Sequence, residues 1–315
     1  MRKAVLFLAA LIILAGVSIM LLSLLSEEKE AKGGLKVAAS FYPLAHFAEK
    51  AGGERIDVFM VTPAGVESHD FEPTPRDIKR IREASLFLYN GAGLDPWAER
   101  IEPTLRESGV RTLGMASKFT LLNAEKEDGH DEDGHNHGEE AFDPHIWLDP
   151  LMAAEQTSLI GEALEAADPT NAASYRALSR EYSDKLKALH EEFSAGLSKC
   201  ERRDLVVAHD AFGYLARRYG VNIIAVTGVF SGEDPSPRRI AEITKIVRER
   251  SIRYIFFEPL TSPKIAETIA RETGAKVLEI NPLEGLTKDE VASGKDYISV
   301  MRMNLANIRK ALQCI

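Results

Sequence analysis

Imidazoles and carboxylates gather in one stretch of this chain. Between Glu125 and Glu140, His130, His135 and His137 stand among Glu125, Glu127, Asp128, Asp131, Glu132, Asp133, Glu139 and Glu140. A further histidine follows in Asp143-Pro144-His145-Ile146-Trp147-Leu148-Asp149-Pro150. Neutral imidazole is the commonest transition-metal side-chain ligand, and short His-rich tracts read as metal binding. The acidic run holds almost nothing apolar and cannot pack a core, so a solvated loop is expected there, its histidines forming weak accessory sites.

Two more histidines stand where the chain turns. Short β-rich runs at Lys36–Ser40, Ile56–Val61, Leu86–Tyr89 and Val110–Leu113 alternate with helical patterns, and four more runs follow at Leu205–Ala208, Val221–Val226, Tyr254–Phe257 and Lys276–Ile280. Strands alternating with helices predict parallel sheets covered on both faces, here an α/β protein of two similar four-stranded halves. His69 follows the second run, His209 closes the fifth, and His145 sits in its Asp-Pro-His turn. Ligands of open α/β sheets bind outside the carboxyl ends of strands. Any one such histidine is ordinarily a hydrogen-bonded loop or core residue, and their separations of 76 and 64 residues match no local zinc motif. His46, at the start of a helix, and His190, on a helix face beside Leu186 and Phe193, are expected to be packing residues.

The elements that must hold these groups carry clear punctuation. A capping residue followed by proline occurs at Thr74-Pro75, Asp149-Pro150, Asp168-Pro169, Ser236-Pro237 and Ser262-Pro263, each a predicted helix start. Between the halves, Tyr175, Leu178, Tyr182, Leu186, Leu189, Phe193 and Leu197 recur every three or four residues, predicting one amphipathic helix from Pro169 to Lys199. Such a helix would span about 45 Å and act as a rigid strut between the halves.

At the N-terminus, Arg2 and Lys3 precede an uncharged run, Ala4 to Leu25, long enough to span a bilayer. The positive-inside bias then places the rest of the chain outside the cytoplasm, on an uncleaved anchor at the outer face of the membrane or, after cleavage, in the periplasm. The organisation expected is a signal or anchor over 1–26, a linker over 27–34, a first lobe over 35–168 that includes loop 125–140, a connecting helix over 169–199 and a second lobe over 200–315. A formal charge of −9 disfavours nucleic acid as a partner. Two cysteines, Cys200 and Cys314, are too few for a disulfide scaffold or a thiolate zinc site, and sequence leaves open whether they pair.

Several stretches resemble a known family. Thr62-Pro63-Ala64-Gly65-Val66-Glu67-Ser68-His69-Asp70-Phe71-Glu72-Pro73, the Asp143–Pro150 segment and Ala208-His209-Asp210-Ala211-Phe212-Gly213-Tyr214 are similar to the three ligand motifs of the zinc and manganese solute-binding receptors of metal ABC importers. The likeness runs from Lys36 to the C-terminus and includes Phe256-Phe257-Glu258-Pro259 and Gly294-Lys295-Asp296-Tyr297. The resemblance implies two lobes joined by one long helix, a metal in the cleft, and ligand roles for His69, His145 and His209. A His-rich acidic loop before the second ligand resembles the zinc-selective members. At the place where the family usually puts an aspartate or a water, this chain has Asn281, either a weak ligand or a loop-turning residue; water, Glu67 or Glu258 are the other candidates for completing the site, and Glu258 could equally orient an imidazole.

Three imidazoles suit zinc, whereas manganese favours carboxylate oxygens. The implied function is extracytoplasmic capture of Zn2+ by a monomer for delivery to a permease with a cytoplasmic ATPase. A manganese or iron receptor of the same type, and a metal-dependent adhesin without a transporter, share the same chemistry. A zinc hydrolase is disfavoured by the lack of a His-Glu-x-x-His helix or a Gly-x-Ser-x-Gly elbow, so the protein is expected not to be an enzyme.

Overall fold

The computed structural model describes residues 34–124, 141–229 and 235–315. The expected anchor, and His130, His135 and His137, lie outside the described residues.

Eight strands form two sheets of identical topology. In the first, β1 (Leu35–Ala39), β2 (Ile56–Met60), β3 (Leu86–Tyr89) and β4 (Arg111–Gly114) run in the order β2-β1-β3-β4, every pair parallel. The second repeats this with β5 (Asp204–His209), β6 (Asn222–Thr227), β7 (Tyr254–Phe257) and β8 (Lys276–Glu279) in the order β6-β5-β7-β8. Each strand falls within a residue or so of its predicted run; the central β1, β3, β5 and β7 are rich in buried apolar residues, the sequence mark of a strand covered on both faces. In each sheet the order reverses beside the first strand, and the crevice at such a reversal opens at the strands' carboxyl ends.

Helices cover both sheets: α1 (Tyr42–Gly52), α2 (Pro75–Arg82), α3 (Pro96–Glu107) and α4 (Pro150–Ala167) precede the long α5 (Ala172–Leu197); α6 (Gly213–Tyr219), α7 (Pro237–Glu249), α8 (Lys264–Thr273), α9 (Lys288–Ala292) and α10 (Tyr297–Leu312) follow it. The capping chemistry is as the sequence predicts at three of the five starts. Thr74 caps α2 with Asp77 in a reciprocal box, Asp149 accepts from the Leu151 amide at 2.9 Å, and Ser236 accepts from the Arg239 amide at 3.1 Å. At Asp168-Pro169 the proline instead opens a single 3-10 turn, and α5 begins at Ala172. The Asp168 carboxylate accepts from the Asn171 side chain at 2.7 Å and from the Tyr175 hydroxyl at 2.8 Å, which tightens that turn. At Ser262-Pro263 the helix starts one residue later, at Lys264.

The 26 residues of α5 span about 39 Å. Its stripe of Tyr175, Tyr182, Leu186, Leu189, Phe193 and Leu197 is buried, packing on α1 and α4 from the first half and on α6 and α10 from the second. The approach to α4 is close because Gly161 has no side chain: a Cβ there would stand 2.5 Å from Ser179 Oγ. One continuous core, from Val37 and Phe47 through Trp147 and Phe193 to Val207 and Tyr297, joins both sheets, with smaller clusters on their outer faces. Cys200 and Cys314 form a disulfide that ties the end of the α5 segment to the C-terminal tail. Backbone bonds from Arg202 to Leu312 and from Ile315 to Lys199 reinforce the junction.

Candidate metal centre

The three histidines separated by 76 and 64 residues meet. His145 Nε2 lies 3.3 Å from His69 Nε2 and 3.4 Å from His209 Nε2. A fourth donor completes the group: Glu284 Oε1 lies 3.6 Å from His69 Nε2, 3.3 Å from His145 Nε2 and 3.2 Å from His209 Nε2. All four side chains are at most 4% exposed, and their donor atoms all lie within 4.8 Å of one another. Donors held about 2.0–2.2 Å from a common tetrahedral centre stand about 3.3–3.6 Å apart. Five of the six separations match that edge and the His69–His209 pair lies within 4.8 Å, so three nitrogens and one oxygen form a group able to hold one metal ion. The buried Glu284 carboxylate faces the three imidazoles and the neighbouring Glu67 carboxyl.

Two of the imidazoles, those of His145 and His209, are oriented by carboxylates. His209 is the last residue of β5, and Glu258 follows β7, the strand across the reversal point of the second sheet. Both oxygens of Glu258 lie 2.8 Å from His209 Nδ1. His145 Nδ1 lies 2.8 Å from Asp143 Oδ1, which also accepts the His145 amide at 2.9 Å. A carboxylate only accepts, so Nδ1 carries the proton in both rings and the Nε2 lone pair is left for the ion. Asp143 is held in turn: the Tyr214 hydroxyl donates to its carbonyl at 2.7 Å, and a side chain at Gly213 would meet its Oδ2 at 2.6 Å. From the first sheet, Asn90 at the end of β3 donates to the Pro144 carbonyl at 3.0 Å and anchors the Asp-Pro-His turn.

The electrostatics reflect a cation site. Burial alone would favour neutral rings, yet Asp143 and Glu284 raise the His145 pKa, and Glu258 with Glu284 holds His209 well above the ordinary imidazole value. Burial would also raise Glu284, but His69 and the other two imidazoles keep it well below the usual carboxylate range. Burial and the adjacent Glu284 push the Glu67 carboxyl up to about 9, so it holds a proton at neutral pH.

The remaining candidates are placed elsewhere. Glu258 stands behind His209, Glu67 beside Glu284 and outside the four-donor group, and the Asn281 amide is occupied at both ends, accepting from the Leu283 amide and donating to Glu290. Sequence reasoning missed Glu284. It follows β8 by five residues and is the one charged group in the stretch Ile280 to Leu286; that isolation at the carboxyl end of a strand was the available signal. His46 lies 2.8 Å from the Tyr182 hydroxyl and His190 3.1 Å from the Tyr219 hydroxyl, both in packing roles.

Known proteins share this architecture. The chain is 37% identical over 98% of its length to the zinc-binding protein AdcA of Streptococcus pyogenes serotype M1, and it spans 61% of that relative's length. It is 35% identical to the high-affinity zinc uptake system protein ZnuA of Bacillus subtilis strain 168, covering 90% of this chain and 89% of that one. The crystal structure of the Zn(II)-bound ZnuA-like domain of Streptococcus pneumoniae AdcA superposes with a TM-score of 0.76 at 31% identity, covering 89% of this chain and 99% of that domain. The laminin-binding protein Lmb of Streptococcus agalactiae, described as a bifunctional protein with adhesin and metal transporting activity, gives a TM-score of 0.77 at 32% identity over 89% of this chain and all of that one. The family model of the zinc-uptake complex component A periplasmic proteins matches residues 37–311, and the chain belongs to that family.

Proposed function

We propose that this protein is an extracytoplasmic receptor that captures Zn2+ between His69, His145, His209 and Glu284 and delivers it to the permease and cytoplasmic ATPase of an ABC importer. The observation that carries this reading is the convergence of three imidazoles and one carboxylate, five of their donor-to-donor separations being 3.2–3.6 Å and all of them within 4.8 Å. Three imidazoles and a single carboxylate favour zinc over manganese, which takes harder oxygen-rich sites. The relatives named for zinc binding and zinc uptake support the same cargo.

The site is read as a carrier site, without catalysis. A catalytic zinc keeps one position open for water, and here Glu284 supplies the fourth donor. Residues 35–168 and 200–315 are read as the two metal-binding lobes of a monomer, joined by the helix within 169–199. A disulfide between Cys200 and Cys314 supports a location outside the reducing cytoplasm, and relatives from Streptococcus pneumoniae are named lipoproteins. Among the described residues no helix is long and apolar enough to cross a membrane, so attachment rests on the apolar run Ala4 to Leu25. The acidic loop with His130, His135 and His137 is read as a tethered zinc collector that raises the local metal concentration.

Native mass spectrometry with competition titration tests the reading. One tight zinc per chain is expected, lost when His69, His145 and His209 are all changed to Ala. A triple variant that keeps the tight zinc sinks the proposal. Deleting residues 125–140 is expected to remove weak equivalents while leaving the tight one.

A further inference from the structure

The loop that delivers Glu284 to the metal group is built on Asn281. Asn281 is 2% exposed and follows β8 by two residues. Its backbone is clamped by the buried Asn304, whose side chain accepts from the Asn281 amide at 2.9 Å and donates to the Asn281 carbonyl at 2.7 Å. Its own side chain works in both directions at once. Oδ1 accepts from the Leu283 amide at 2.7 Å, and Nδ2 donates to Glu290 Oε1 at 3.1 Å.

Leu283 sits at φ 58°, a left-handed conformation that costs a branched, fully buried side chain energy and persists only when its surroundings over-determine it. The bond from its amide to Asn281 supplies that constraint, and Pro282 between them has its φ already set. The reversal brings Glu284 to the three imidazoles. The loop is pinned there by Trp147 Nε1, which donates to the Pro282 carbonyl at 2.7 Å, and by Ser68 Oγ, which donates to the Glu284 carbonyl at 3.0 Å. Trp147 and Ser68 neighbour His145 and His69, so the loop is registered against the ligands it must complete.

We propose that Asn281 is the positioning residue of the zinc site, its bifunctional amide bridging Leu283 and Glu290 so that Glu284 takes the fourth donor place. The proposal rests on the reading of Glu284 as a metal donor. With a carboxylate at Glu290, position 281 needs a group that accepts and donates at once, as an amide does. Glu290 is 6% exposed, and its other oxygen already accepts from the Thr287 amide at 2.9 Å. An aspartate at 281 has no proton to offer Glu290 and would set a second carboxylate beside it, where, among the described residues, Lys295 Nζ, 3.5 Å from Glu290 Oε1, is the one cation to offset them, so the bond that ties the loop to α9 is lost.

The test uses the full chain, with Zn2+ titrated against a chromophoric chelator and Co2+ as the optical probe of coordination number. Asn281→Asp is expected to weaken zinc about 10- to 100-fold, the usual effect of losing a group that orients a ligand, and to exchange the intense visible bands of tetrahedral Co2+ for weaker ones. The double variant Asn281→Asp with Glu290→Gln reverses donor and acceptor across the same contact and is expected to restore both readouts to within about threefold of the parent. A double variant that fails to fold, or that binds as weakly as Asn281→Asp, overturns the proposal. So does an Asn281→Asp protein with parental affinity and spectrum. Glu284→Gln separates the two levels. If it leaves the cobalt spectrum unchanged, the four-donor site itself is wrong; if it alters the spectrum while Asn281→Asp does not, only the role of Asn281 falls.

Discussion

The Nδ1 nitrogen of His209 lies 2.8 Å from both carboxylate oxygens of Glu258, which follows the neighbouring strand 49 positions further along the chain. Strand β5 ends in the imidazole and the loop after β7 brings the carboxylate, so the sheet's reversal point orients the His209 ring.

Removing that carboxylate should free the ring to rotate or change tautomer. Glu258→Gln is expected to weaken zinc about 10- to 100-fold with little change in fold, and Asp143→Asn to act the same way on His145. Competition titration measures it. Parental affinity in both variants would show that the imidazoles are aimed by packing alone.

Proton competition sets a pH dependence whose sign follows from the raised His145 and His209 values. Zinc needs both rings neutral, with Nε2 free, so affinity should fall as pH drops through those raised pKa values, earlier than for an ordinary imidazole near about 6.5. In the metal-free protein the linkage runs the other way: a raised folded pKa stabilises below the unfolded value and loses that contribution as pH rises through the folded one. The increase in Tm produced by zinc should therefore be larger near about pH 8 than near about pH 6. Scanning calorimetry that found the increase flat or reversed would contradict the assignment.

His46 has the opposite character. Burial depresses its pKa to about 4, with Lys50 adding to the effect and Asp296 opposing it. The unfolded chain then binds the proton first, so stability should be lost as pH falls below about 6.5, by up to about 3 kcal/mol once pH passes about 4. Urea unfolding of the parent and of His46→Leu across that range reads the difference. An identical acid slope in the two proteins would exclude His46 as the source.

The disulfide between Cys200 and Cys314 closes a loop with a sequence separation of 114. Replacing both cysteines by serine should cost about 2–4 kcal/mol of stability, chiefly by loosening the unfolded chain. The backbone bonds from Arg202 to Leu312 and from Ile315 to Lys199 remain, so zinc affinity should be unchanged. A loss of metal binding in the serine variant would mean that the tail supports the site directly.

Secondary structure and topology class were legible in the residues themselves. Buried strands are continuous apolar runs, the long helix is a stripe at three- and four-residue spacing, and Thr74, Asp149 and Ser236 mark helix starts, because each of these is a local property of the chain. The convergence of His69, His145 and His209 was also within reach, from their loops and turns and from the three motifs that resemble a known family. Glu284 was not. Its place depends on the Asn304 clamp, the Asn281 bridge to Glu290, the left-handed Leu283 and the hydrogen bonds from Trp147 and Ser68, partners that stand between 1 and 216 residues away. By itself the sequence determined which elements form and singled out three histidines in the loops and turns between them. Only the tertiary structure decided which carboxylate joins them, because a loop's path is set by whatever satisfies its buried backbone groups, and those partners come from the whole fold.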